Sequence, residues 1–381
     1  MNIAFNYRYY TAPDKYEIKE MKFTKYISKK VAFSFKEVGS VIGFAENEQC
    51  NGRYVALYLT YEAASYFNPD MATYPLSDDS VIAVAYSFDS NMVNTISRNN
   101  TYQYVPKHHF QFVESDEQMQ YKIKQVQNAI TEGETYQVNY TTRLVSDIHY
   151  PIVTLYHYLT QTNNGGYTTL LDTDEVQIAS ISPELFFQKG EFDGKHNVIV
   201  SKPMKGTMPR SIDKDEDLNN YHTLQSSLKD RAENVMIVDL LRNDIARISQ
   251  PGTVKVYKPF FIETYKTVYQ MTSMVTGQLE AHTSLNKILT ALFPCGSITG
   301  APKLNTMSYI KQLEVGPRYV YCGTIGLLCP DDKMIFNIPI RTLEYRDDQV
   351  HYGVGAGITI DSDPSNEVQE FRDKTKILEL L

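Results

Sequence analysis

From Ser115 onward the apolar positions switch repeatedly between two periods. Tyr121, Ile123, Val126 and Ile130 recur at helical spacing, and Gly133 marks where that helix should stop. The next stretch, Tyr136-Gln137-Val138-Asn139-Tyr140-Thr141-Thr142-Arg143-Leu144, alternates with period two and predicts a strand. Residues 178–187 predict a strand broken by Ser182-Pro183 and resumed. Leu228 to Gln250 is the longest helical pattern, with Val235, Val238, Leu241, Ile245 and Ile248 as its apolar stripe and Gly252 just beyond. Residues 321–326 and 336–342 read as strands, the second ending on Arg341. Residues 353–360 form a further strand, rich in glycine. Asp363-Pro364 then opens a helix with aspartate as cap and proline first. On that helix Glu367, Glu370 and Lys374 share one strip, and Val368, Phe371 and Leu378 the apolar strip beside it. Residues 1 to about 110 read as short strands and turns, with β-rich runs at 31–35, 54–59 and 81–86. Ser90 to Pro106 is polar, with Asn91, Asn94, Asn99 and Asn100, and suits an exposed connection.

Composition narrows the class. A chain of 381 residues allows two or three domains or one large one, and 42% hydrophobic residues can fill a large core. A net charge of -8 gives nucleic-acid binding no electrostatic support. Cys50, Cys295, Cys322 and Cys329 lack CxxC spacing, which predicts a reduced chain without disulfides or zinc. The first twenty residues carry no signal-peptide core, and no run approaches the ~18 apolar residues of a membrane span. The expectation is a soluble cytoplasmic protein with no membrane or nucleic-acid partner.

The candidate chemistry lies in polar positions that interrupt these patterns. Lys205 and Gly206 sit in a loop between Pro203 and Pro209, with Arg210 beside them. A loop lysine is ordinarily a solvated surface charge, and Lys202, three residues away, is expected to be one. Glu184 stands between a proline and apolar residues, where partial burial would raise its pKa and suit it to proton transfer. Gln137 either faces a site or lies on an exposed face. Asp230 and Glu233 point the same way from one helix, and Glu367 and Glu370 form a second acidic pair. Two carboxylate pairs without histidine or cysteine suit a hard cation, Mg²⁺ first. The loop 292–303 is built for anion contacts through backbone N–H groups but lacks P-loop spacing. Arg341, with Tyr321 as a neighbouring donor, suits a substrate carboxylate or a structural ion pair equally well.

Together these pieces resemble the chorismate-utilising enzymes. The resemblance rests on Ser182-Pro183-Glu184-Leu185-Phe186, Pro203-Met204-Lys205-Gly206-Thr207, Glu233 to Asp244, Phe293 to Ser297 with Thr299 to Lys303, Ile340-Arg341-Thr342, and Gly355-Ala356-Gly357 followed by Glu367 and Glu370. These run in family order from about residue 115 to the end. The resemblance implies an α+β fold of two face-packed β-sheets flanked by helices. It also implies that residues 1–110 join the same core as the catalytic region 115–381, as one compact domain.

The family also implies roles. Lys205 would add covalently to the chorismate ring while Glu184 protonates the departing hydroxyl. A lysine nucleophile must be neutral, and Arg210 and the metal are the cations expected to lower its pKa. Mg²⁺ would be held by Glu233 and Glu370, with Asp230 and Glu367 supporting its waters. Arg341, Tyr321, Lys374 and the backbone of Gly355, Ala356 and Gly357 would hold carboxylate, and Thr207 and Gln137 would line the site. Lysine at 205 resembles the members that make aminodeoxychorismate, whereas anthranilate-forming members generally carry alanine. Gln137 replaces the lysine of water-adding members, and Gln270 stands where many members carry histidine. The implied reaction therefore joins chorismate and ammonia, supplied by a separate glutamine amidotransferase subunit because no fused glutaminase follows Leu381. Anthranilate synthesis is the alternative within the family. A nucleotide-binding regulatory protein is the alternative outside it, although the glycines at 353–357 lack GxGxxG spacing.

Overall fold

The computed structural model describes residues 1–90, 107–161 and 165–381, so the polar stretch 91–106 lies outside the described residues. The chain opens with β1 (Asn2–Ala12), β2 (Lys15–Phe23), β3 (Ser28–Ala32), α1 (Phe35–Cys50), β4 (Tyr54–Leu59), α2 (Ala64–Phe67) and β5 (Ala83–Phe88). Then come β6 (Gln111–Phe112), α3 (Asp116–Thr131), β7 (Gln137–Ser146), α4 (Ile152–Thr160), β8 (Tyr167–Asp172), β9 (Gln177–Ser182), β10 (Leu185–Phe192), β11 (Lys195–Lys202) and β12 (Met204–Pro209). Next are α5 (Lys214–Ser226), α6 (Leu228–Ala246), β13 (Lys255–Thr264), β14 (Val268–Gln278), α7 (Leu285–Leu292), β15 (Gly300–Ala301) and α8 (Lys303–Leu313). The chain closes with β16 (Thr324–Leu328), β17 (Met334–Asn337), β18 (Thr342–Arg346), β19 (Gln349–Ile358) and α9 (Pro364–Lys374).

Two antiparallel sheets organise these elements. One runs β15-β7-β19-β18-β9-β8-β1-β2, and the other β12-β14-β11-β10-β17-β16-β4-β5-β3. Alternation along β1 sends Phe5, Tyr7 and Tyr9 into a core shared with Tyr58, Tyr86, Val200 and Ile325 of the second sheet. A second core packs α1, α6 and α7 on the outer face of the β4-containing sheet, and a third packs α3, α4, α8 and α9 on the other. This is the α+β sandwich the resemblance implied.

Local chemistry explains the helix starts. Ser115 accepts from the Gln118 N–H, and Asp363 accepts from the N–H groups of Ser365 and Asn366. Helix α1 departs from the strand-and-turn reading of residues 1–110. The apolar run Val31-Ala32-Phe33 masked a capping box, in which the Ser34 N–H donates to Glu37 Oε2 (3.0 Å), and Val38, Val41, Ile42 and Ala45 form the buried stripe. On α6, Val235 is exposed and the buried face is Ile237, Val238, Leu241 and Ile245. Among the described residues no helix is long and apolar enough to cross a membrane.

Candidate active site

Lys205 lies on strand β12, not in a loop. Met204 pairs with Thr272 and Thr207 with Gln270 of β14, and the register slips between them, so Lys205 and Gly206 bulge out of the ladder. Gly206 takes φ +83°, and a Cβ there would stand 2.8 Å from the Asp230 carboxyl. Only glycine lets the strand pass this close to the first turn of α6. Ser227 fixes that turn by accepting from the Asp230 N–H (3.2 Å). Lys205 Nζ then stands 3.9 Å from Glu233 Oε2.

Strand β19 supplies the opposite wall. A Cβ on Gly357 would meet Gln137 Nε2 at 1.9 Å and Lys205 Nζ at 2.9 Å, so the missing side chain makes room for both. Gln137 is buried, faces Lys205 across this gap, and leaves its Oε1 without a hydrogen-bond partner among the described residues. Beyond Tyr352, β19 pairs with β7 but no longer with β18, which frees its second edge. The Gly355 carbonyl on that edge accepts from Lys374 Nζ (2.7 Å). Strand geometry puts the N–H groups of Gly355 and Gly357 on the same edge, while that of Ala356 points into the ladder opposite Tyr140. Two of the three expected backbone donors are therefore open, and Ala356 is not one of them.

Glu184 lies in the gap between β9 and β10, buried, with Ser297 Oγ donating to its Oε1 (2.8 Å). Burial pushes its pKa up to about 7, against the pull of Ser297 and Lys205. Ser297 belongs to the loop 292–303, which the sequence marks for anion contacts, but nothing in that loop marks its hydroxyl as the partner of Glu184.

The two acidic pairs face each other across the site, with a lysine within 4.0 Å of Glu233, Glu367 and Glu370. Lys374 pairs with Glu370 (2.7 Å) and holds its pKa down, and Glu370 stays half-exposed. Lys229, which the sequence did not single out, stands 3.6 Å from Glu367. Burial raises the pKa values of Glu233 and Glu367, and Glu370 adds to the second shift. Among the described residues no three His, Cys, Asp or Glu side chains gather as a ready ligand set. The donors nonetheless suit a hard cation: they are all carboxylates, burial disfavours the charged forms of Glu233 and Glu367, and among the described residues Glu367 Oε2 is buried without a partner.

Arg341 sits between β17 and β18 at φ +53°, not at the end of a strand, and its burial lowers its pKa. Tyr321 precedes β16 in a turn, its ring filling the place of a Gly353 side chain. The Cys322 N–H donates to the Pro339 carbonyl (3.1 Å), tying the two loops together. Thr207 is exposed, and its Oγ1 accepts from Gln270 Nε2 at 3.4 Å. Two sequence expectations are corrected. Arg210 does not tune Lys205, because Asp217 takes its guanidinium through two bonds of 2.7 and 2.9 Å. Lys202 is not a solvated charge: it is buried, pairs with Glu263 and donates to Tyr10 Oη (2.9 Å).

The profile of the chorismate binding enzymes matches residues 22–379. The chain belongs to this family. The chain is 39% identical to aminodeoxychorismate synthase component 1 of Escherichia coli over 258 residues, 68% of this chain and 56% of that one. It is 35% identical to an anthranilate synthase component 1 of Haloarcula marismortui over 257 residues, 68% of this chain and 50% of that one. The chain spans about half the length of the curated relatives it matches. Its fold is that of anthranilate synthase component I from Streptococcus pneumoniae, with a TM-score of 0.78 at 21% identity, over 99% of this chain and 92% of the other. The glycines at 353–357 lie within strand β19 and open no helix, unlike a dinucleotide-binding turn.

Proposed function

We propose that this chain is component I of an aminodeoxychorismate synthase. It converts chorismate and ammonia, delivered by a separate glutamine amidotransferase subunit, into 4-amino-4-deoxychorismate in an amination of the transaminase type. The observation that carries this reading is Lys205, enclosed by Gly357, Gln137 and Glu233 beside a buried Glu184. The similarity to aminodeoxychorismate synthase components supports it.

In this reading Arg341 and Tyr321 hold the enolpyruvyl carboxylate, helped by Lys374 and the N–H groups of Gly355 and Gly357. Thr207 and Gln137 line the ring. Lys205 Nζ adds to the ring through its lone pair, and Glu184, protonated because it is buried, gives its proton to the allylic hydroxyl, which leaves as water. Ammonia then attacks, Nζ leaves, and the proton shed by the new amine returns to Glu184. The pyruvyl ether stays intact. Glu233 and Glu370 would hold Mg²⁺, with Asp230 and Glu367 behind them, and the ion would supply positive charge against the ring carboxylate.

Anthranilate synthesis is the second reading, favoured by the 35% identity to the Haloarcula marismortui enzyme. It requires elimination of pyruvate. Gln270, buried and hydrogen-bonded to Thr207, cannot shuttle a proton as imidazole does. The product formed from chorismate separates the two, with ammonium and then glutamine offered as nitrogen source. Aminodeoxychorismate from ammonium alone is expected; anthranilate, or turnover of glutamine by the isolated chain, would overturn the first reading. In the same assay Lys205→Ala should lose on the order of 10³-fold in rate. Lys205→Arg should not restore it, since guanidinium stays protonated. Exposed Lys214→Ala is the control of equal charge and should leave the rate unchanged.

A further inference from the structure

None of the candidate site residues falls within residues 1–110, yet one side chain from that stretch holds the loop that carries Tyr321. Strands β4 and β16 pair with Leu59 opposite Thr324, so the chain leaving β4 passes the chain entering β16. The two lie close: a Cβ on Gly323 would stand 2.3 Å from the Leu59 carbonyl oxygen. After Leu59 the chain makes one 3-10 turn, Tyr61–Ala63, with Glu62 at its centre and only 1% exposed. Glu62 Oε1 accepts from the Arg318 N–H (2.7 Å), and Oε2 accepts from the Tyr319 N–H (3.1 Å). Beside them the Tyr61 N–H donates to the Tyr319 carbonyl (2.8 Å). Burial pushes the Glu62 pKa up to about 7 against the pull of these N–H groups. A carboxylate is costly to place there, but it accepts at both oxygens, where the amide of a glutamine accepts at one.

The two N–H groups head the turn on which Tyr321 stands. Tyr319 takes φ +53° and Cys322 φ +65°, and backbone of this kind persists in non-glycine residues only where its surroundings impose it. The Tyr321 N–H closes the turn on the Arg318 carbonyl (3.1 Å). The far end is fixed separately, by the Gly323 N–H on the Val320 carbonyl (2.9 Å) and the Cys322 N–H on that of Pro339. The Arg318 guanidinium anchors the turn through Glu314 and the carbonyls of Ile298 and Asn139. Bonds at the end of a long side chain do not set the peptide planes, and Glu62 does. The Tyr321 ring fills the place of a Gly353 side chain, whose Cβ would stand 2.2 Å from its Cγ, so the ring follows the backbone closely.

We propose that Glu62 is a positioning residue for the substrate: by holding the N–H groups of Arg318 and Tyr319 it sets the bend that delivers the Tyr321 hydroxyl to the enolpyruvyl carboxylate. This rests on the reading of Tyr321 as a carboxylate donor made above. Glu62 acts through Tyr321 and touches no reacting atom, so its loss weakens the hold on chorismate without slowing the bound complex.

The first measurement needs no variant. In the unaltered full chain the amides of Arg318, Tyr319 and Tyr321 should exchange with deuterium at least about a hundredfold more slowly than those of exposed loops. Exchange as fast as in such loops overturns the proposal. Chorismate affinity is then measured by calorimetry with Mg²⁺ and without a nitrogen source, so that the identity of the product plays no part. Glu62→Gln keeps the shape and one acceptor; it should weaken Kd about tenfold, while kcat at saturating chorismate stays within about twofold. Tyr321→Phe should also weaken Kd about tenfold. The double variant should stay within about twofold of Tyr321→Phe alone, because the effect of Glu62 passes through that hydroxyl. Penalties that multiply to about a hundredfold overturn the proposal and leave the proposed function standing, as does a Glu62→Gln chain that binds as tightly as the unaltered one. An unaltered chain that does not bind chorismate overturns both.

Discussion

Burial gives Glu184 the protonation state a general acid needs. Its carboxyl titrates at about 7 instead of 4.5, because the interior disfavours the charge more than Ser297 and Lys205 favour it. This fixes the sign of a stability effect. Folding favours the protonated form, so the contribution is intact below about pH 4.5 and is lost as pH rises through 7. Glu184→Gln cannot ionise. It should match the unaltered chain near pH 4.5 and exceed its stability by about 3 kcal/mol at pH 8, measured by denaturant unfolding. The same variant should lose roughly 10²–10⁴-fold in turnover. A variant that is no more stable at pH 8 would mean that Glu184 is not buried as a neutral acid. At this scale the sequence revealed residue types but not partners. Glu184 stood out because a carboxylate among apolar residues is costly, yet nothing adjacent in sequence identified Ser297, 113 residues away, as its donor. Lys202 misled for the same reason: its burial comes from Glu263 and Tyr10, which are distant in the chain.

At the scale of elements, α6 and α9 each present two carboxylates toward the other, and lysines sit at both pairs. If Glu233 and Glu370 hold Mg²⁺, Glu370→Gln should abolish turnover and the chorismate-dependent binding of Mg²⁺ seen by calorimetry. Its Tm should stay within a few degrees, because Glu370 is half-exposed and its ion pair is with Lys374 on its own helix. A fully active Glu370→Gln protein would end the metal assignment. Helices α3, α6 and α9 were legible because caps and a 3.6-residue period are local properties. Helix α1 was hidden by the β-rich run leading into its cap. Strand β12 read as a loop because Pro203 just before it, and Gly206 and Pro209 within it, are tolerated only at a bulged edge, and edges are set by the neighbouring strand. The glycines of β19 announced a close approach, but only the register with β7 shows which of their N–H groups face outward.

At the scale of the molecule, the N-terminal stretch carries no catalytic candidate, yet it is woven through both sheets. Strand β1 pairs with β8 from Asn2 to Tyr7, and β4 pairs with β16 from Tyr54-side residues Val55 to Leu59. We infer that residues 1–110 and 115–381 form one folding unit and that the catalytic region cannot be cut free of its plain neighbour. A fragment spanning 115–381 would expose the faces that Phe5, Tyr7, Tyr9, Tyr58 and Tyr86 now cover in the shared core. Each such side chain is worth roughly 1.5–3 kcal/mol of burial, and the five together are comparable to the ~5–15 kcal/mol by which a domain is ordinarily stable. The fragment should therefore be insoluble or lack a cooperative unfolding transition by circular dichroism. A soluble fragment that unfolds cooperatively and binds chorismate would separate the two regions and refute the single unit. Co-expression with residues 1–110 as a second polypeptide offers the complementary outcome. If the missing strands are what the fragment lacks, the two pieces should purify together and regain one shared transition, because the antiparallel partners of β1 and β4 remain in place to receive them.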